Sequence, residues 1–320
     1  MRSTTRIGVI AFACLALGIV QAHAQYPNKT IRLIVPFGPG SANDMVARLI
    51  STPLSTALGR PVVIDNRPGV GGNIGAEIVA NSPRDGYTVM MGNISHAIAM
   101  TLYTKPGYDL VKDFAPVTLL ASSSFLVAVH PSTPVKSVKE LIALAKTRPG
   151  QLNVGTSGAG IYLASQLFNS MTGIKTTNVT YRSTPQALTA LVSGEVSVGF
   201  PATSSVLPHI RSGKLRGLAV TSARRITVAP DLPTVAEAGV PGYEANPWYG
   251  LLVPAGTPQE VVSRLHAESV KVVKQPDVKV RFGASDFEPA GNTPEQFATY
   301  ILSEITKWGK VVKATGMQPE

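Results

Sequence analysis

The sequence predicts an α/β protein of two lobes with a cleft between them, each lobe a mostly parallel sheet flanked by helices. Short β-branched runs alternate with capped amphipathic segments along nearly the whole chain. The runs are almost continuously apolar rather than alternating, as strands covered on both faces are. Finally, 320 residues, 44% apolar and only 15% charged, exclude intrinsic disorder and give more strands than one sheet readily holds.

The N-terminus stands apart. Arg2 and Arg6 precede an apolar run, Ile7 to Val20, and Ala22-His23-Ala24 offers small residues at the two positions a signal peptidase reads. This pattern predicts a secretory signal peptide over residues 1–24, cleaved after Ala24, and the run is too short to span a bilayer. Removing Arg2 and Arg6 takes the formal charge from +10 to +8, and removing Cys14 takes the only cysteine. A lipoprotein reading of Cys14 would need a small residue at Phe12. The mature protein is therefore expected to be exported, soluble and free of disulfides and cysteine metal sites.

Strands are expected at 31–36, 61–65, 87–91, 126–129, 152–155, 177–181, 196–200, 215–221 and 248–254. Helix starts are marked by Ser41 with Asp44, Ser137 with Glu140, Thr234 with Glu237, Thr257 with Glu260 and Thr293 with Gln296, each a hydroxyl followed three residues later by a carboxylate or amide. Pro258 and Pro294 sit at the favoured first helical position, and Gly59, Gly173, Gly213 and Gly316 mark helix ends. Breaks at 125–131 and 241–254 divide the chain into lobe 1 (25–127 and 247–320) and lobe 2 (128–246). Two crossing segments serve as the hinge, and the C-terminal helices pack back on lobe 1.

Function is sought where strands end and helices begin, because helix N-termini there expose amides that suit an anion. The loop Phe37-Gly38-Pro39-Gly40-Ser41 follows the first strand and opens a helix, so it can hold a carboxylate; an ordinary turn capped by Ser41 also explains it. Asp44 fits the third position of a capping box without any ligand. Asn93, Ser95 and His96 follow the third strand and carry groups able to hydrogen-bond a carboxylate. Thr156, Ser157 and Gly158 form a second candidate anion cradle, and Arg182, followed by Ser183, can fork onto a carboxylate.

Other chemistries find less support. Gly69, Gly71, Gly72 and Gly75 miss the spacing of a dinucleotide loop and read as shaping a loop near the cleft. Gly155 to Gly160 misses a nucleophile elbow, because Ala159 stands where glycine is required, which leaves a Ser157, His96 and Asp44 triad resting on residue type alone. The histidines are scattered singly, so no metal site and no cofactor is expected. Basic residues such as Arg211, Lys214, Arg216, Arg224 and Arg225 lack interleaved aromatics, so nucleic acid is not expected as a partner.

Several ordered segments together resemble a known family. Ile34-Val35-Pro36-Phe37-Gly38-Pro39-Gly40 with Asp44, Val63 through Gly75, Asp85-Gly86-Tyr87-Thr88, Asp113 to Val117, Leu218 to Ser222, Asp231 to Glu237 and Pro254 to Pro258 closely resemble the Bug family, the periplasmic solute-binding receptors of tripartite tricarboxylate transporters. The resemblance runs from about Tyr26 to Gly316. It implies a type II-like two-lobed periplasmic binding protein, not an enzyme, that closes on a small organic carboxylate and delivers it to membrane permease subunits. A monomer is expected. A two-component sensor and, further off, a Ser/His hydrolase are the rival readings.

The resemblance also implies ligand contacts at Phe37 to Asp44, Asn93 to His96, Thr156 to Tyr162 and Arg182 to Thr184, partly through ordered waters. Three departures from the family pattern stand out. Ile161-Tyr162 replaces a small polar stretch, Ser183 stands where glycine is common, and Phe200-Pro201-Ala202 replaces a segment that commonly carries an acid. A second-lobe wall that is less acidic and more apolar is therefore expected, at Tyr162, Pro201 and Ala202. It would favour an aromatic or aliphatic acid over an amino acid.

Overall fold

The computed structural model describes residues 26–314. The expectations for the signal peptide, Cys14 and Gly316 lie outside the described residues. Strands are β1 (Ile31–Val35), β2 (Val62–Asn66), β3 (Thr88–Asn93), β4 (Phe114–Ser122), β5 (Leu126–Val129), β6 (Asn153–Thr156), β7 (Thr177–Thr180), β8 (Val198–Gly199), β9 (Arg216–Val220), β10 (Trp248–Pro254) and β11 (Glu288–Pro289). Helices are α1 (Ala42–Leu58), α2 (Asn73–Ala80), α3 (Ile94–Leu102), α4 (Val138–Thr147), α5 (Ala159–Thr172), α6 (Thr184–Ser193), α7 (Thr203–Arg211), α8 (Gln259–Lys274), α9 (Pro276–Gly283) and α10 (Pro294–Ala314).

The strands form two sheets, one ordered β11-β4-β10-β3-β1-β2 and the other β7-β6-β8-β5-β9. Each has a parallel part, β3-β1-β2 and β8-β6-β7, whose strands feed helices at their carboxyl ends. The strands next to the crossings run against them: β10 is antiparallel to β3 and β4, and β5 to β8 and β9. The sheets are thus mixed rather than mostly parallel, because a chain that crosses between lobes and returns enters each sheet from the opposite end. β1 shows why these runs become strands: Ile31, Leu33, Ile34 and Val35 are all at most 1% exposed, covered on both faces.

β4, the longest strand, was not expected from the sequence, since Pro116 interrupts its apolar pattern. The structure accommodates that proline at a register shift, where Thr118 faces Leu251 while Pro116 faces Leu252. A bulge is one of the few places a sheet accepts a residue with no N–H.

Most of the capping signals are realised. Ser41 and Ser137 accept from the Asp44 and Glu140 amides, and Thr293 and Gln296 bond reciprocally. Two differ. Thr234 and Glu237 form a complete box, yet it opens only a turn. The Thr257 hydroxyl instead donates to the Pro254 carbonyl, which leaves Pro258 to start α8. α5 begins at Ala159, directly after Gly158 of the candidate anion cradle.

The chain leaves the first sheet at Ser122, enters the second at Leu126, and returns through residues 221–247 to β10. These two crossings are bonded to each other. Thr221 Oγ1 donates to the Ala245 carbonyl at 2.7 Å and accepts from the Phe125 amide at 2.8 Å, and the Ser123 amide donates to the Pro247 carbonyl. α8 and α10 pack on β4 of the first sheet, as expected for the C-terminal helices.

Candidate functional site

Two cavities lie where loops of both sheets meet. The larger, about 630 Å³, is lined by Pro36–Gly38, the 68–72 loop, Ile74, Leu102 and Tyr103 on the first-sheet side. Thr156–Ala159, Tyr162, Asn178 and Thr180–Thr184 line its second-sheet side. The smaller, about 40 Å³, is lined by Ser41–Asn43, Asn93–Ser95, Phe125, Gly160, Ile161, Ala202, Pro247 and Tyr249 among others. Phe37, Ser157 and Thr184 line both, so the small chamber opens beside the large cleft.

The small chamber is built from helix starts. The first turns of α1, α3, α5 and α6 and the residue before α7 all line it, so the positive ends of five helices converge there. In α1, Ser41 takes the Asp44 amide, while the Ala42 and Asn43 amides have no acceptor among the described residues. Asn43 Oδ1 is buried without a partner. A chamber of 40 Å³ holds about three water-sized groups, enough for a carboxylate with one ordered water.

The loop that carries Phe37 to Ser41 is pinned from behind. The buried Asp44 carboxylate accepts from the Gly40 amide at 2.9 Å, Arg48 Nε at 2.8 Å and Asn66 Nδ2 at 3.1 Å. Burial alone would raise its pKa, but bonds from Arg48, Gly40 and Asn66 hold it below the ordinary value. Asn66 Nδ2 also donates to the Phe37 carbonyl, because Asn66 pairs with Val35 at the end of the parallel β1–β2 ladder. Asp44 therefore shapes the loop and does not line either cavity.

His96 is likewise structural. It is fully buried, and its Nδ1 accepts from the Asn93 amide at 3.0 Å while Asn93 Oδ1 accepts from the Ser95 amide, a capping box for α3. Burial lowers its pKa to about 4, so the ring is neutral. Ser157 donates to Thr184 Oγ1, and Asp44 and His96 are committed as described. The Ser157, His96 and Asp44 side chains are thus bonded elsewhere rather than as a triad.

The two sides already touch across the cleft. Ser95 Oγ accepts from the Gly160 amide at 3.2 Å. Gly158, at φ 83°, lies so close that a methyl there would stand 3.4 Å from Phe37 and 3.6 Å from Ser95 Oγ. These contacts join the two sides beside the small chamber.

The sequence-selected residues divide accordingly. Phe37, Gly38, Thr156, Ser157, Gly158, Tyr162, Arg182 and Ser183 line the large cleft, and Ser41, Asn93, Ser95 and Ala202 line the small chamber. Pro39, Gly40, Asp44, His96 and Pro201 line neither. Val70, Tyr103, Asn178 and Tyr249 line them without having been selected, and Asn43 lies within the implied 37–44 segment. The glycine loop at 69–72 does lie at the cleft, as read from the sequence.

No Asp or Glu lines either cavity, and Arg182 is the one charged lining residue among the described residues, with no ion pair or hydrogen bond there. The absence of acid agrees with the loss of the usual acidic segment at Phe200-Pro201-Ala202. The expected apolar second-lobe wall is instead largely hydroxyl, amide and guanidinium, through Thr156, Ser157, Asn178, Thr180, Arg182 and Ser183. The apolar side is the first-lobe wall, at Phe37, Pro68, Val70, Ile74 and Leu102. Among the described residues, no cluster of metal-ligating side chains occurs, and no helix is long and apolar enough to cross a membrane.

A mixed α/β fold of two lobes around an acid-free cleft fed by helix N-termini defines a solute-binding protein. The chain matches the family model of the tripartite tricarboxylate transporter family receptor over residues 46–317, and it belongs to that family. It is 34% identical over 322 residues to the protein BugT of Bordetella pertussis, covering 99% of each chain. Among solved structures it resembles R. palustris Rpa4515 with adipate (38% identity, TM-score 0.89, 92% of this chain and 100% of that one). It also resembles MatC from Rhodopseudomonas palustris with bound malate (33% identity, TM-score 0.85, 90% of this chain and 100% of that one).

Proposed function

We propose that this protein is exported to the periplasm by cleavage after Ala24, binds a small organic carboxylate in the cleft, and hands it to the membrane permease subunits of a tripartite tricarboxylate-type transporter. The observation that carries this reading is the acid-free small chamber where five helix N-termini meet, with unbonded Ala42 and Asn43 amides. A carboxylate head seats there, one ordered water joins it to Asn43 Oδ1, and the body extends past Phe37, Ser157 and Thr184 into the larger cleft. Relatives whose structures hold adipate and malate support this ligand class.

The lobes are 25–127 with 247–320, and 128–246, hinged at the two bonded crossings. The protein acts as a monomer and without catalysis. With no carboxylate facing the ligand, an ammonium group finds no counter-charge, so aliphatic and aromatic acids are preferred to amino acids. The test is a thermal-shift screen of refolded residues 25–320 against mono-, di- and tricarboxylates, aromatic acids and amino acids. A ligand at 100 times its Kd stabilises by about 2.7 kcal/mol. A clear shift with carboxylates supports the reading. Silence across the panel from folded protein, or turnover of an ester, overturns it.

A further inference from the structure

Seating a carboxylate head leaves one feature of the larger cleft unaccounted for. Val70 adopts φ 44°, in the left-handed region that a β-branched side chain rarely enters. Its neighbours Gly69 and Gly71 have φ 146° and 66°, and glycine at position 70 would follow the same path without strain. Packing inside the protein does not offset the strain, since Val70 is 61% exposed, one of the most exposed large apolar residues described. Strain held against solvent at a cleft is the pattern of a residue kept for what it touches when the cleft is occupied.

Its surroundings indicate what that is. Val70 lines the cleft together with Ile74, itself 43% exposed, and Ile74 Cδ1 fills the space above Gly69. Phe37 and Leu102 continue this apolar side, while the facing side presents hydroxyls, Asn178 and Arg182. The cleft is two-faced. A ligand body that is only hydrocarbon would lie against the Val70 side and remove both exposed side chains from water.

We propose that Val70 is a specificity-determining residue. Its isopropyl group, with Ile74, forms an apolar lip that covers the hydrocarbon body of the bound acid, so that affinity grows with the length of that body. The inference rests on the carboxylate-receptor reading and adds to it the selection of chain length. Each methylene covered by the lip multiplies affinity about fourfold, and removing the lip at Val70 costs a long acid about tenfold.

The test is calorimetric titration of the refolded mature protein with unbranched dicarboxylates from succinate, with four carbons, to suberate, with eight. Wild type gains affinity along the series. Val70→Gly and Val70→Thr each lose about tenfold for suberate and less than twofold for succinate. Val70→Gly removes the left-handed strain, so its ligand-free melting midpoint does not fall. Val70→Thr keeps the branched shape and changes only polarity, so a loss shared by both variants comes from lost apolar cover and not from a rearranged loop. Equal losses for both acids, or undiminished suberate binding, overturn the role of Val70 and leave the receptor reading standing. Failure of wild type to bind any acid of the series or of the wider panel overturns the receptor reading, and this inference with it.

Discussion

The two walls of the cleft are built to opposite standards. On the first lobe, the ligand loop is held from behind: Asp44 holds Gly40, Arg48 and Asn66, Asn66 holds Phe37, and His96 caps α3. On the second lobe, Arg182 has no ion pair or hydrogen bond, and the polar side chains of the wall bond largely among themselves, Ser157 with Thr184 and both Thr156 and Thr180 with Asn178. A pinned wall keeps its amides aimed and loses little freedom when a ligand arrives. A loosely committed wall can change residues without harming the fold. The difference teaches that the pinned wall fixes the carboxylate, while the looser wall and the strained Val70 lip facing it from the first lobe discriminate among its bearers.

Breaking the pinned wall has the largest expected effect. Asp44→Ala leaves the Gly40 amide, Arg48 and Asn66 without their shared acceptor. Urea unfolding is expected to show a loss of about 2–3 kcal/mol, and calorimetry a loss of carboxylate binding as the loop loses its shape.

Blocking the approach of the walls comes next. Gly158→Ala places a side chain at φ 83° beside Phe37, with an expected cost of about 1–3 kcal/mol from the backbone alone. Affinity falls at least tenfold, and small-angle scattering with saturating acid should show a less complete compaction than wild type.

Acid sharpens the comparison from the His96 side. His96 has a folded-state pKa of about 4 against 6.5 unfolded, so between these values the unfolded chain binds more protons. Its contribution, roughly 3 kcal/mol at most, is complete above pH 6.5 and is lost as pH falls toward 4. Melting midpoints of wild type should drop over that window, and His96→Gln should flatten the drop.

The discriminating wall yields the smallest effects on the fold. Arg182→Gln should change stability by no more than about 0.5 kcal/mol while weakening acids roughly tenfold in calorimetry. Across the cleft on α3 of the first lobe, Ser95→Ala removes one hydrogen bond between the walls, worth about 1 kcal/mol, and should weaken binding about fivefold.

How much of this is legible in the sequence follows from how local each signal is. The Phe37 to Ser41 loop, Ser157 and Arg182 sit at strand-to-helix turns, and caps and apolar runs mark those turns within a few residues. Asn66 escapes such a reading because its role depends on pairing with Val35, a contact made only when β1 and β2 lie side by side. β4 was hidden because Pro116 reads as a strand breaker unless a bulge at Leu251 and Leu252 is known. The polarity of the second-lobe wall escapes a local reading for a related reason. Pro201 and Ala202 are buried near the crossing, while Asn178 and Thr180, on a strand that looked ordinary, face the cleft. Val70 is invisible as a strained residue until its φ is known.

The most direct test of the central claim, that a carboxylate is held by helix amides in an acid-free cleft, compares an acid with its own amide. Adipate and adipamide, titrated into refolded mature protein, differ in little but the charge of their two end groups, one of which enters the chamber. Adipate is expected to bind at least a hundredfold more tightly than adipamide, with a gap of at least about tenfold remaining in Arg182→Gln because the amides of α1 remain. Equal binding of the two, or binding of neither when an amino acid binds well, would contradict it.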